Sequence, residues 1–113
     1  MEKIFELSFT LHDLLLETVE YKNLKMIEKK MREDKTASSL IAIYQDLNVQ
    51  YGTNKTQELL KKLHQAKLKM DQNELVIEYK KAYKQYQILV GKVSDIAFKD
   101  VFEPSTFERI IRS

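Results

Sequence analysis

Two imidazoles, no thiol, and many lysines and tyrosines bound the chemistry open to this chain of 113 residues. His12 and His64 are the only histidines. Neither has a His, Asp or Glu at the helical spacing of a zinc site such as HExxH, so both read as structural or solvated side chains. Zero cysteines exclude disulfides, thiolate nucleophiles and Cys-ligated metal clusters. The segment GKVSD at 91–95 lacks the preceding glycine and the spacing of a phosphate loop. No carboxylate pair, Ser-His-Asp order or glycine-rich loop suggests catalysis. The side chains therefore imply no enzyme, no cofactor and no metal.

Two other groups of side chains could bind. Lys55, Lys62 and Lys69 are spaced by seven and share one helical stripe, and Lys80, Lys81 and Lys84 form a cluster further on. Such a surface could meet RNA phosphates. Glu58, Glu74 and Glu78 interleave with them, which is the ordinary wet side of an amphipathic helix. Tyr79, Tyr83 and Tyr86 stand at spacings of four and three. Aromatics can stack on bases, but at this spacing they read as core or interface residues with hydroxyls at the rim.

The elements that must carry these residues are helices. Apolar residues are 43%, charged residues 32%, and there are only 2 Gly and 1 Pro. Few turns are then available, which fits a few long helices better than many short strands. One domain spanning residues 1–113 is expected. The stretch 71–102 carries the strongest signal. Leu75, Tyr79, Ala82, Tyr86, Leu89, Val93 and Ile96 alternate steps of three and four. A helix of that length is about 45 Å long, and something must cover its seam. Helices 1, 3 and 4 are expected to supply much of the cover.

The first helix, about 3–18, is unusual. Ile4, Leu7, Leu11, Leu14 and Leu15 form one apolar face, and Phe5, Phe9, Leu16 and Val19 an adjacent stripe. Together they span well over half the circumference, wider than a surface helix of a monomer needs. This helix is either central to the bundle or buried by another chain. Phe5, Phe9 and Leu16, with part of the Tyr79, Tyr83 and Tyr86 side, are the expected inter-subunit surface.

A second helix, 20–33, turns Tyr21, Leu24, Ile27 and Met31 to one face. The third runs to about Tyr51, capped by Asp34 or Thr36, with Ala37, Leu40, Tyr44, Leu47 and Tyr51 inward. Gly52 is expected to end it in a left-handed residue, and Asn54 with Gln57 to form a capping box. A fourth helix, 55–70, turns Leu59, Leu63, Ala66 and Met70 inward and forms an antiparallel hairpin with the third. Asp71 with Glu74 reads as the cap before the long helix. Pro104 ends that helix, and Ser105 with Glu108 opens a short sixth helix over 106–112. The fold expected is all-α, a bundle of five to six helices with one long C-terminal helix.

Charge is uneven along the chain. Residues 1–34 hold 6 basic and 8 acidic groups, and residues 55–86 hold 8 basic and 4 acidic. Opposed patches of this kind can steer association between copies or with a partner. The apolar N-terminus carries Glu2, Glu6, Asp13 and Glu17, unlike a secretory signal. No apolar run approaches the roughly 18 residues of a membrane span, so no membrane insertion is expected.

Three segments carry a resemblance to a known family. They are the apolar first helix followed by Glu20-Tyr21, the segment LIAIYQDLNVQY within 37–51, and ELVIEYKKAYKQYQILVGKVSDIAF after Asn73. In the last, Val76, Glu78, Tyr79, Ala82, Leu89 and Ile96 take the places of the family's long-helix pattern. The chain resembles the YlbF/YmcA family of small bacterial helical proteins. The resemblance implies a cytoplasmic, non-enzymatic regulatory subunit that forms a homo-dimer or higher oligomer or joins related small helical subunits. It also implies complexes linked to competence, sporulation, biofilm formation and RNA processing by a membrane-attached ribonuclease. Some complexes of that family hold iron–sulfur clusters on cysteines, a property that this cysteine-free chain cannot share. Direct RNA binding through the lysine stripes is the alternative expectation. A small-molecule-binding bundle would require a deep pocket.

Overall fold

The structure is a computed structural model and describes residues 1–99 and 101. Five helices follow one another: α1 (Glu2–Leu16), α2 (Val19–Glu33), α3 (Lys35–Thr53), α4 (Gln57–Asp71) and α5 (Glu74–Ala97). Among the described residues there is no strand. The all-α expectation holds. The proposed sixth helix, its Ser105–Glu108 cap and Pro104 lie outside the described residues.

The helices begin where short polar side chains take up the free N–H groups of a first turn. Thr18 accepts from the Tyr21 N–H at 3.2 Å, and Asp34 accepts from Ala37 at 2.8 Å. Two starts differ from the sequence reading. Thr56, not Asn54, caps α4 by accepting from Leu59, and Asn73, not Asp71, caps α5 by accepting from both Leu75 and Val76. Asp71 is the last residue of α4. Gly52 does not end α3 in a left-handed turn. It lies inside the helix, which continues to Thr53 and closes on Asn54 in an extended conformation, φ −141°.

The long helix is shorter than the stretch 71–102 but holds the whole Leu75–Ile96 apolar pattern. It covers 24 residues, about 36 Å. Its cover also comes from elsewhere than expected. α2 packs along α5, and α3 packs along α4, whereas α4 meets α5 mainly near their shared turn. Leu24 and Ile27 from α2 and Ala82 from α5 form the central cluster, with Tyr79 and Tyr86 packed against it. The Tyr21 and Tyr86 rings sit 5.5 Å apart, and Lys25 Nζ lies 5.5 Å from the centre of the Tyr21 ring. Helical periodicity identified these inward faces correctly. It could not tell which helix meets which, because any apolar stripe of suitable length satisfies another.

Ala37, Leu63 and Ala66 are the buried residues of α3 and α4. Asp34 is the single residue joining α2 to α3, and Gln72 and Asn73 join α4 to α5. Both joints lie at the same end of their helix pairs. The molecule is therefore two antiparallel helix pairs joined at an elbow, 52 × 40 × 23 Å. Its thickness is that of two packed helices. The radius of gyration is 20.3 Å, against about 13 Å for a compact chain of this length.

Candidate protein-interaction site

Among the described residues, α1 has almost no cover. Every residue from Met1 to Leu14 is exposed, and Leu15 alone on this helix is half-buried. Phe5 is 59% exposed and Phe9 is 70% exposed, alongside Ile4, Leu7, Leu14 and Leu16. The helix is not central to the bundle. Of the two alternatives read from its wide apolar arc, a central place among the described helices does not hold. Ser8 and Thr10 donate to the carbonyls of Ile4 and Glu6, which keeps even its polar hydroxyls occupied along the helix. His12 Nδ1 lies 3.1 Å from Asp13 Oδ1 in full solvent. Among the described residues no cluster of His, Asp or Glu is built for a metal ion.

The tyrosines divide. Tyr86 and Tyr79 pack on the α2–α5 core, while Tyr83 stacks on Tyr79 with ring centres 6.1 Å apart and stays exposed. The structure does not bring them beside Phe5, Phe9 and Leu16 of α1. Past Leu89, α5 outruns α2, whose Glu20 lines the same surface hollow as Leu89 and Lys92. Beyond that point Ile96 is 80% exposed.

The lysines divide too. Lys55 precedes α4, and Lys62 and Lys69 lie along it. Lys80 is on α5 and is tied to Asp71 by an ion pair across the α4–α5 turn. Lys81 and Lys84 are exposed. Because the two helices part after that turn, the two sets do not form one continuous basic track.

Of the concave surfaces between the elements, two bear on binding, and neither was legible in the sequence. The larger, about 610 Å³, sits inside the elbow and draws Met31 and Arg32 from α2, Ile41 and Tyr44 from α3, and Tyr79 and Lys80 from α5. Its charges are already satisfied, since Arg32 pairs with Glu28 and Lys80 with Asp71. The smaller, about 250 Å³, is a groove on the α3/α4 pair. Leu40, Ile43, Leu47 and Ala66 line it, with Lys62 and Lys69 at its edge. The only sequence signal for this groove was the spacing of the two lysines.

None of the described helices is long and apolar enough to cross a membrane. Comparison with curated proteins finds no match. Among solved structures, the chain is similar to Bacillus subtilis RicA, determined by X-ray crystallography in complex with RicF. The two share 20% sequence identity and a TM-score of 0.77, over 88% of this chain and 93% of that one. The likeness is one of fold. The sequence itself matches the family described as control of competence regulator ComK, YlbF/YmcA, over residues 4–101. That span runs from within the exposed α1 to beyond the end of α5, and the chain belongs to the YlbF/YmcA family of bacterial regulatory proteins.

Proposed function

We propose that this protein is a non-enzymatic regulatory subunit that works by assembly. It acts in the cytoplasm as a homo-dimer or higher oligomer, or joined to a related small helical subunit. Its complexes are those linked to competence, sporulation, biofilm formation and RNA processing. One observation carries the reading: α1 presents Phe5, Phe9 and Leu16 to solvent with nothing among the described residues to cover them. Burying one such side chain is worth roughly 1.5–3 kcal/mol. A helix that forgoes this on all sides is stable only when another surface takes it up. The similarity to RicA, which was determined bound to RicF, supports a small protein as the partner.

Sedimentation velocity across the micromolar range tests the reading, and a dimer or larger species is expected. A pull-down from the native bacterium then separates self-assembly from mixed assembly. A clean monomer that captures no small helical protein and no ribonuclease complex would end the proposal.

A further inference from the structure

Where α1 goes follows from its own surface, given the self-association proposed above. α1 is an amphipathic helix with an acidic edge. At 100° per residue, Glu2, Glu6, Asp13 and Glu17 fall within one narrow strip. The Phe5, Phe9 and Leu16 stripe borders that strip directly. The surface that fits such a helix has an apolar floor and a basic edge. The α3/α4 groove has both, with Leu40, Ile43, Leu47 and Ala66 below and Lys62 and Lys69 at the side. Ile43, 52% exposed, is the least covered part of that floor.

Spacing supports the match. Glu6 and Asp13 are seven residues apart, and so are Lys62 and Lys69. Seven residues are about 10.5 Å along a helix, so two helices packed side by side can align both pairs at once. This is the geometry by which flanking charges select partners in coiled coils. The charges are available for it. Lys69 and Glu6 have no ion-pair partner among the described residues. Lys62 has only an exposed contact to Glu58 at 3.5 Å, which is weak enough to exchange. Asp13 has only the neighbouring His12. The elbow cavity offers no comparable set, because its Arg32 and Lys80 are already paired.

Area argues that the occupant is a second copy. The chain exposes 9512 Å² for 13.4 kDa. A compact monomer of that mass exposes about 6,500 Å². The excess is on the scale that obligate dimers bury. The groove is not filled by the chain's own α1, which meets the rest of the molecule chiefly through α2. We infer that α1 of one copy seats its Phe5–Phe9–Leu16 stripe in the α3/α4 groove of another, with Glu6 and Asp13 against Lys62 and Lys69. In a two-fold dimer the exchange is reciprocal and each copy fills the other's groove.

Charge reversal tests this in both directions. One variant carries Glu6→Lys with Asp13→Lys, and another carries Lys62→Glu with Lys69→Glu. All four positions are exposed, so each variant should keep its helices, which circular dichroism checks. Each variant alone should dimerise about 100-fold more weakly at low salt, since like charges then face each other at both ends of the exchange. An equal mixture should recover the wild-type affinity, because every α1 then meets a groove of opposite sign. If both variants dimerise like the wild type, assembly exists but uses another face, and this inference falls alone. Loss in each variant without recovery in the mixture overturns the pairing as well. A wild-type chain that sediments as a monomer defeats the self-association on which it rests.

Discussion

At the scale of single residues, the caps divide what the sequence displays from what it conceals. At the start of α3 the sequence left Asp34 and Thr36 as alternatives, and the structure selects Asp34, whose carboxylate accepts from the Ala37 N–H. At the other two starts several short polar residues lie side by side, and only backbone geometry selects among them. Asn73 places one oxygen 3.0 and 3.2 Å from two N–H groups, while Asp71 is already inside α4 and holds Lys80. Asn73→Ala and Thr56→Ala should each lower stability by about 1 kcal/mol in urea unfolding at fixed protein concentration. Asn54→Ala should change it by less than about 0.5 kcal/mol. A larger loss at Asn54 than at Thr56 would contradict the assigned cap. Gly91 also lies inside a helix, with open space where a Cβ would stand. Gly91→Ala should raise stability by about 0.5–1 kcal/mol, since the glycine pays helix entropy without using its freedom. A destabilised Gly91→Ala protein would reveal a neighbouring surface pressed against that point.

At the scale of elements, each of the five helices was legible from its period, and so was the inward face of α2, α3 and α4. The apolar face of α1, by contrast, lies exposed, and on α5 the spacing missed the buried Val76 and included the exposed Ile96. Leu24, Ile27, Ala37, Leu63, Ala66 and Ala82 are buried where the spacing put them. The pairing of elements was not legible. α2, the helix with the plainest stripe, is the one that covers α5. The candidate site was legible in part: the wide apolar arc of α1 marked it as exceptional, but the groove on α3/α4 arises only when two helices are set side by side. The same contrast gives a prediction. Leu24→Ala should destabilise the fold by about 2–5 kcal/mol, because it empties a packed seam. Phe5→Ser with Phe9→Ser should leave the isolated chain's stability within about 1 kcal/mol, since both rings are already wet. That double variant should nevertheless lose assembly by sedimentation. Equal damage to folding from both variants would mean that α1 packs within its own chain.

At the scale of the whole molecule, an elbow two helices thick has little interior, and no described residue is both large and fully enclosed. Its stability should then depend on how many copies surround it. A tenfold rise in protein concentration should raise Tm measurably, as mass action requires of any folded state favoured by association. A Tm independent of concentration would instead assign all the stability to the single chain. The order of the helix pairs carries a further consequence. α3 and α4 are neighbours in sequence and pack on each other, whereas α2 must wait for α5. The inner pair is nested inside the outer one like a bracket within a bracket. Local contacts form fastest, and long closures are slow until their ends are brought together. The α3/α4 hairpin is thus placed to form first and to hold the ends of α2 and α5 side by side. Substitution at Leu63 should chiefly slow refolding, while substitution at Ala82 should chiefly speed unfolding. During synthesis, the face of α2 bearing Leu24 and Ile27 has no mate until α5 leaves the ribosome. At about 5–20 residues per second, each nascent chain passes several seconds with that face bare.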